Sequence, residues 1–340
     1  MFEHLILKEF GGVYSCIERL KFHRFTVLIG PNNSGKTTIM TALFLLPYPS
    51  QFLVLPILNE DKFSFLSKYL GKHSQSLIYR YYGKARVISS INGLELEYQI
   101  HEDGSFHLYS NGKEITSRNS FYSWLSEVSN VFEIKSIEMA DTELQGYIIF
   151  IPSSDLFRSN LEVQLVQNWE AIERTGAHVS IVRELSGNVI SDRFTELLLK
   201  REELVLRKEL EKDVAYIRLK DLGDGVKRFL TTALWIKAVK PKVVLWDDIE
   251  SSAHPVLTHF CIKWLANHDW QVIISTHSID VLHEVLMVEP EDTRIIQLNK
   301  NPYDVLSYRE YTLEDLEKMF EEGLDIRKLF APVRQDEVHA

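Results

Sequence analysis

The sequence predicts an α/β fold: a mixed sheet with a parallel core, an antiparallel β-layer and a helical insertion. Three observations predict it. First, the apolar run Phe25-Thr26-Val27-Leu28-Ile29 leads into a glycine-bounded loop and then a helix-forming stretch. Second, strand-like runs return at 243–246 and 272–275 around a helix-like stretch at 257–266, the strand–helix–strand alternation of a parallel sheet. Third, residues 75–115 are rich in Tyr, Ile and Val and carry Asn92-Gly93, Asp103-Gly104 and Asn111-Gly112 at regular intervals, the pattern of an antiparallel meander.

Taken in order, Leu5-Ile6-Leu7 and the run at 25–29, separated by Gly11-Gly12, read as two strands. A helix is expected from about Lys36 to Leu46, closed by Pro47. Residues 39–58 hold no charge and are long enough to span a bilayer. Pro47, Pro49 and Pro56 would break such a span, and the run begins beside a loop that must sit in water, so a buried helix followed by an apolar loop is expected and no membrane contact. From Asp155 to about Asp213 the pattern becomes that of long helices. One of these is expected at 192–213, capped by Asp192, with Leu197 and Leu204 on an apolar stripe and charges of alternating sign opposite. Residues 313–329 read as a charged surface helix. The expected organisation is a single head spanning 1–340: 1–60 and 216–340 form the core, 61–150 a β-rich part, and 151–215 a helical insertion.

The 340 residues are 45% hydrophobic and 25% charged, ordinary globular values that exclude a disordered, collagenous or coiled-coil-dominated chain. The net charge of −10 argues against coating nucleic acid by bulk charge. Yet acids are absent from 63–94, where Lys68, Lys72, Arg80, Lys84 and Arg86 interleave with Tyr69, Tyr79, Tyr81 and Tyr82. They are absent again from 226–246, where Lys227, Arg228, Lys237, Lys240 and Lys242 occur. Such stretches suit nucleic-acid contact, DNA among the possible partners, and equally a β-layer with tyrosines packed inward and lysines solvated. Cys16 and Cys261 lie far apart with no metal-ligand spacing, and the first residues lack the form of a signal peptide; both fit a cytoplasmic protein.

The chemistry concentrates in Gly30-Pro31-Asn32-Asn33-Ser34-Gly35-Lys36-Thr37-Thr38, which fits G-x-x-x-x-G-K-[ST] with a strand before it and a helix after. Glycines let backbone N–H groups turn inward around phosphate oxygens, and the helix N-terminus adds partial positive charge. Lys36 is expected at the β- and γ-phosphates of a bound nucleotide and the Thr37 hydroxyl on Mg²⁺, which leaves kinases, GTPases, helicases and transport ATPases all open. The strand Val243-Val244-Leu245-Trp246 ends in Asp247-Asp248, placing a carboxylate for the metal on what should be the neighbouring strand. Between these motifs lies Leu222-Gly223-Asp224-Gly225-Val226 ahead of an apolar helix, and downstream Val272-Ile273-Ile274-Ser275 runs into Thr276-His277-Ser278.

In this order the motifs resemble those of the ABC-type, AAA-like ATPases of the OLD, RecF and SMC-related group. The resembling parts are the first forty-odd residues and roughly 217–285. The resemblance implies that Gly223, Asp224 and Gly225 belong to the signature motif, that Asp247 is the metal carboxylate, that Ser251-Ser252-Ala253-His254-Pro255 is the D-loop, and that His277 is the switch histidine. It also implies a homodimer sandwiching two ATP molecules, the signature of one head closing on the phosphate loop of the other. The family usually carries Asp-Glu where this chain has Asp247-Asp248. Aspartate is one methylene shorter, and a misplacement of about 1 Å costs on the order of 100-fold in rate, so slow hydrolysis is expected, with Glu250 a weaker candidate base. For the glutamine that usually joins the metal, Gln51 is the nearest candidate, and Gln75 and Gln145 fit no worse. Only 63 residues follow His277, without an Asp-x-Asp, so a TOPRIM nuclease domain is not expected and any effector would be a separate chain.

Two readings stay open. One is an ATPase whose closure drives a partner in DNA repair or in defence against foreign DNA. The other is an ATP-loaded switch or scaffold with negligible hydrolysis that regulates a separate nuclease or toxin. A transporter subunit fits the loop sequence less well.

Overall fold

The computed structural model describes residues 1–48, 52–53, 60–115, 118–134, 140–251 and 253–329. The chain opens with four strands, β1 (Phe2–Phe10), β2 (Val13–Cys16), β3 (Leu20–Lys21) and β4 (Phe25–Ile29), before helix α1 (Lys36–Phe44). The sequence suggests two; the Gly11-Gly12 turn adds β2 by folding it back onto β1 with Phe10 opposite Val13. Short β5 (Phe52–Leu53) and β6 (Glu60–Asp61) and helix α2 (Lys62–Leu70) lead to β7 (Lys84–Ile91), β8 (Leu94–His101), β9 (Phe106–Ser110) and β10 (Lys113–Ile115). This is the expected meander. Its Asn92-Gly93 and Asn111-Gly112 turns take positive φ at both residues (49°/78° and 47°/77°), the geometry that matches strand twist in two-residue hairpins.

Helices α3 (Arg118–Val128) and α4 (Ala140–Gln145) precede β11 (Ile148–Ile151), and then come α5 (Asp155–Gln167), α6 (Trp169–Glu173) and α7 (Ala177–Asn188). The expected helix at 192–213 is instead β-sheet: β12 (Phe194–Lys200), β13 (Glu203–Glu209) and β14 (Val214–Arg218) form a separate antiparallel layer. Leucine, glutamate and lysine favour helix by intrinsic propensity, but Leu197, Leu204 and Leu206 are buried, and α7 packs against β12. Tertiary burial overrides the local preference, so the 151–215 insertion is half helix and half sheet.

The chain continues through α8 (Asp224–Val239), β15 (Val243–Trp246), α9 (Pro255–Ala266), β16 (Gln271–Ser275), α10 (Ile279–Val288), β17 (Thr293–Lys300), β18 (Val305–Tyr311) and α11 (Leu313–Glu321). The last helix is shorter than the expected 313–329, ending near Gly323 (φ 68°). Among the described residues the main sheet has 13 strands in the order β10-β9-β8-β7-β1-β2-β18-β17-β4-β16-β15-β11, with β3 on β1. Strands β17, β4, β16, β15 and β11 run parallel, and β4, β11, β15 and β16 are buried along their whole length, as a parallel sheet covered on both faces requires. Their C-terminal ends open on one edge, where open α/β sheets bind ligands. The helix expected after Lys36 forms and is buried from Ile39 onward; Pro49, Pro56 and most of the apolar stretch between them lie outside the described residues. No helix of the described residues is long and apolar enough to cross a membrane.

Candidate nucleotide-binding site

The 30–35 loop connects β4 to α1 and is shaped by its glycines. Gly30 has φ 146°, and a Cβ there would stand 2.6 Å from Leu298 O and 2.7 Å from Ser34 Oγ, so no side chain fits. Gly35, φ 104°, caps α1 without a side-chain hydrogen bond, and no acid lies in the first turn. The first N–H groups of α1 are thus left facing the loop. The Ser34 hydroxyl is buried and has no hydrogen-bond partner among the described residues. Lys36 folds back over the loop, its ammonium donating to the carbonyls of Gly30 (2.9 Å) and Pro31 (3.2 Å). Burial lowers its pKa, opposed by the charges of Asp248, Asp247 and Glu250. Unpaired donors, an orphan hydroxyl and a cation around one concave loop form a cradle for phosphate. Pro31, Asn32 and Asn33 are its exposed rim, and Thr38 packs beneath Gly11 on the β1–β2 turn.

At the end of β15, Asp247 is buried and held from two sides. Thr37 Oγ1 donates to its Oδ2 (2.9 Å) and Ser275 Oγ to its Oδ1 (2.5 Å). Burial raises the Asp247 pKa, with the Ser275 and Thr37 hydrogen bonds opposing. Strands β4 and β15 are not neighbours, contrary to the sequence expectation: β16 runs between them. The link is made because α1 crosses the sheet, contacting β16 and β11, which carries Thr37 over to Asp247. A threonine hydroxyl and one carboxylate are the protein share of a Mg²⁺ site that takes its remaining oxygens from phosphates and water, and the donor set fits that ion. Such an ion, held there by Thr37 and Asp247, would offset phosphate charge. Among the described residues no group of three or more His, Cys, Asp or Glu could hold a metal ion.

Asp248 turns sharply away from its strand with φ 47°. Its N–H donates to Ser275 Oγ (2.9 Å), and its Oδ1 lies 3.9 Å from His277 Nε2. Glu250 accepts the His277 N–H at 2.8 Å through Oε1, while its Oε2 is buried without a partner among the described residues. Arg327 donates to the His277 carbonyl at 2.7 Å. Lys36, Thr37, Asp247, Asp248, Glu250 and His277 therefore converge at the ends of β4, β15 and β16.

A family model described as an AAA domain, putative AbiEii toxin, Type IV TA system, matches residues 25–282. The chain belongs to that family. No curated protein matches the sequence significantly. Among solved structures, an SMC head bound to the C-terminal winged-helix domain of ScpA is similar at 16% identity with a TM-score of 0.59, covering 92% of this chain and 98% of that one. The SMC head domain from Thermotoga maritima is similar at 16% identity with a TM-score of 0.54, covering 92% and 99%. A Pyrococcus furiosus Smc head with an extended coiled coil, bound to the C-terminal domain of ScpA, gives 16% and 0.55, covering 94% and 98%. At this identity the likeness shows the fold: an SMC-head-like, ABC-type P-loop NTPase.

Several expected residues of this AAA domain lie apart from the convergence. Gly223, Asp224 and Gly225 form the N-terminus of α8, and among the described residues no hydrogen bond joins them to the phosphate loop. Gln51 lies outside the described residues, as does Ser252 of the expected D-loop. Gln75 is exposed and donates to Glu102 O, and Gln145 precedes the N-terminal end of β11, opposite the site. Of the basic stretches, Arg228 is buried, Lys237 meets His268, and Lys242 meets Glu133. In the first stretch Arg86 pairs with Glu97 and Tyr69 is buried, while Tyr81 and Tyr82 are 72% and 79% exposed. Sequence reasoning missed Ser275, which ties both aspartates together, although its place just before Thr276-His277 pointed to the same strand end. It also missed Arg327, and it named Arg228 and Lys72 only as members of the two acid-free basic stretches; the Lys72 ammonium donates to Thr41 Oγ1 (3.1 Å), behind Thr37 on α1.

Proposed function

We propose that this chain binds Mg²⁺-ATP in the 30–38 loop and hydrolyses it slowly. In this reading Gly30 to Thr38 enclose the phosphates, Thr37 and Asp247 hold the metal, Asp248 orients the attacking water, and His277 contacts the γ-phosphate. Gly223, Asp224 and Gly225 close on the nucleotide of a second copy, so ATP and dimerisation are coupled, and the nucleotide state sets affinity for a separately encoded effector or for DNA, in repair or in defence. The observation that carries it is the Thr37–Asp247 hydrogen bond of 2.9 Å, which joins two motifs across 210 positions of chain, with Lys36 and Asp248 on either side. Phosphate release by the purified protein against a Lys36→Ala control tests it: release above the control supports hydrolysis, and equal release at every temperature tried defeats it.

The switch reading has its own support. Asp248 has a short side chain on a left-handed backbone, and its carboxylate stands 3.9 Å from His277, beyond hydrogen-bond distance. If occupancy alone matters, Asp248→Glu speeds turnover and disturbs partner binding. A fall in turnover would instead mark Asp248 as already well placed.

A further inference from the structure

Arg228 sits on α8 one turn beyond Asp224 and is 4% exposed. Among the described residues it makes no carboxylate ion pair. Its guanidinium donates to three backbone carbonyls: Nη1 to Asp248 O (3.2 Å) and Ser251 O (2.6 Å), and Nη2 to Asp247 O (3.4 Å). The group lies 5.6 Å from the Trp246 ring, and its Nε has no partner among the described residues. Burial disfavours the charged form and the neighbouring Arg158 adds to that cost, while the charges of Asp248 and Glu250 offset part of it. What the guanidinium holds is the backbone that carries both aspartates. The carbonyls at 247, 248 and 251 come from the end of β15 and the turn after it, including the left-handed residue Asp248. A planar fork with fixed donor directions joins the three carbonyls, of which that of Asp248 also accepts the Ser251 N–H at 3.0 Å.

We propose that Arg228 is a positioning residue that locks the 247–251 backbone, and so the Asp248 carboxylate, to the Gly223–Gly225 end of α8. The inference rests on the ATPase reading and adds a link within one chain between two of its motifs. Helix α8 is a continuous rod of 16 residues with Arg228 on its second turn. Whatever docks against Gly223 and Gly225 therefore shifts the three carbonyls along with the helix. A shift of about 1 Å at the reacting groups changes rate on the order of 100-fold, so a small movement of α8 is enough to turn hydrolysis up or down.

The test compares wild type, Arg228→Met and Arg228→Lys by steady-state ATP hydrolysis, thermal melting and amide hydrogen exchange. The expected result is a kcat at least tenfold lower in Arg228→Met, with KM within threefold of wild type, and partial recovery in Arg228→Lys, whose ammonium reaches some of the carbonyls. Exchange at 247–251 should rise at least tenfold while 36–44 stays unchanged. A folded Arg228→Met with kcat within twofold of wild type overturns the proposal, as does a Lys variant no better than Met. If Arg228→Met does not fold, Arg228→Lys alone decides, by an intermediate kcat or a wild-type one. The Lys36→Ala control judges the ATPase reading separately. Should wild type match that control, exchange decides the link by itself: faster exchange confined to 247–251 upholds it, and unchanged exchange overturns it.

Discussion

At Asp248 the backbone takes φ 47°, a region that aspartate and asparagine tolerate better than other non-glycine residues. Asparagine can therefore replace it without backbone cost while removing the charge. Asp248→Asn is expected to lower phosphate release at least tenfold with ATP affinity within twofold, measured by steady-state kinetics and nucleotide titration. Lys72 carries a prediction of the opposite kind. Burial pushes its pKa from 10.5 down to about 8, with the Asp247 charge opposing. The unfolded chain then binds more protons between about pH 8 and 10.5, so stability rises with pH across that window and the burden of the charged form is fully present below it. Lys72→Met should stabilise the protein by roughly 1 kcal/mol at pH 7 and by nothing at pH 10.5. Urea unfolding at both values checks this, and an equal gain at both would place the effect in packing. The charged centre was legible at residue level because each motif sits at a strand end, where sequence marks the exit of an apolar run. Lys72 and Arg228 were not, since only folding reveals which of many basic residues is buried.

Among elements, the 192–213 segment is the clearest misreading. Its two strands meet at Arg201 and Glu202, which both take positive φ (49° and 62°) without glycine, asparagine or aspartate to announce a turn. The meander turns were read correctly because they carry Asn-Gly or Asp-Gly. The same physics gives a test. Replacing Arg201-Glu202 with Asn-Gly should raise stability by about 0.5–1 kcal/mol, because the new residues adopt this turn at lower cost. A helix spanning 192–213 would instead lose about 1 kcal/mol from the glycine. On the buried face, Leu206→Ala should cost about 2–4 kcal/mol by leaving a cavity, which denaturant melts would show.

For the whole molecule, the parallel core was legible from two strand–motif pairs and the strand–helix–strand run around 243–275. The strand order was not: sequence says that β4 and β15 belong to one sheet, but not that β16 separates them, because that depends on how each crossover packs. The net charge of −10 says little about the site, where Lys36, Lys72 and Arg228 gather around two aspartates. The composite-site reading predicts that Asp248→Asn doubles its mass on adding Mg²⁺-ATP, as read by sedimentation velocity; a monomer in both states contradicts that sandwich. The most direct test of the central claim, that the 30–38 loop and Asp247 form one nucleotide and metal site, is ATP titration with and without Mg²⁺. Lys36→Ala is expected to weaken ATP binding at least tenfold, and Asp247→Asn to abolish the gain in affinity that Mg²⁺ gives wild type. Wild-type affinity in Lys36→Ala, or an undiminished Mg²⁺ effect in Asp247→Asn, would contradict it.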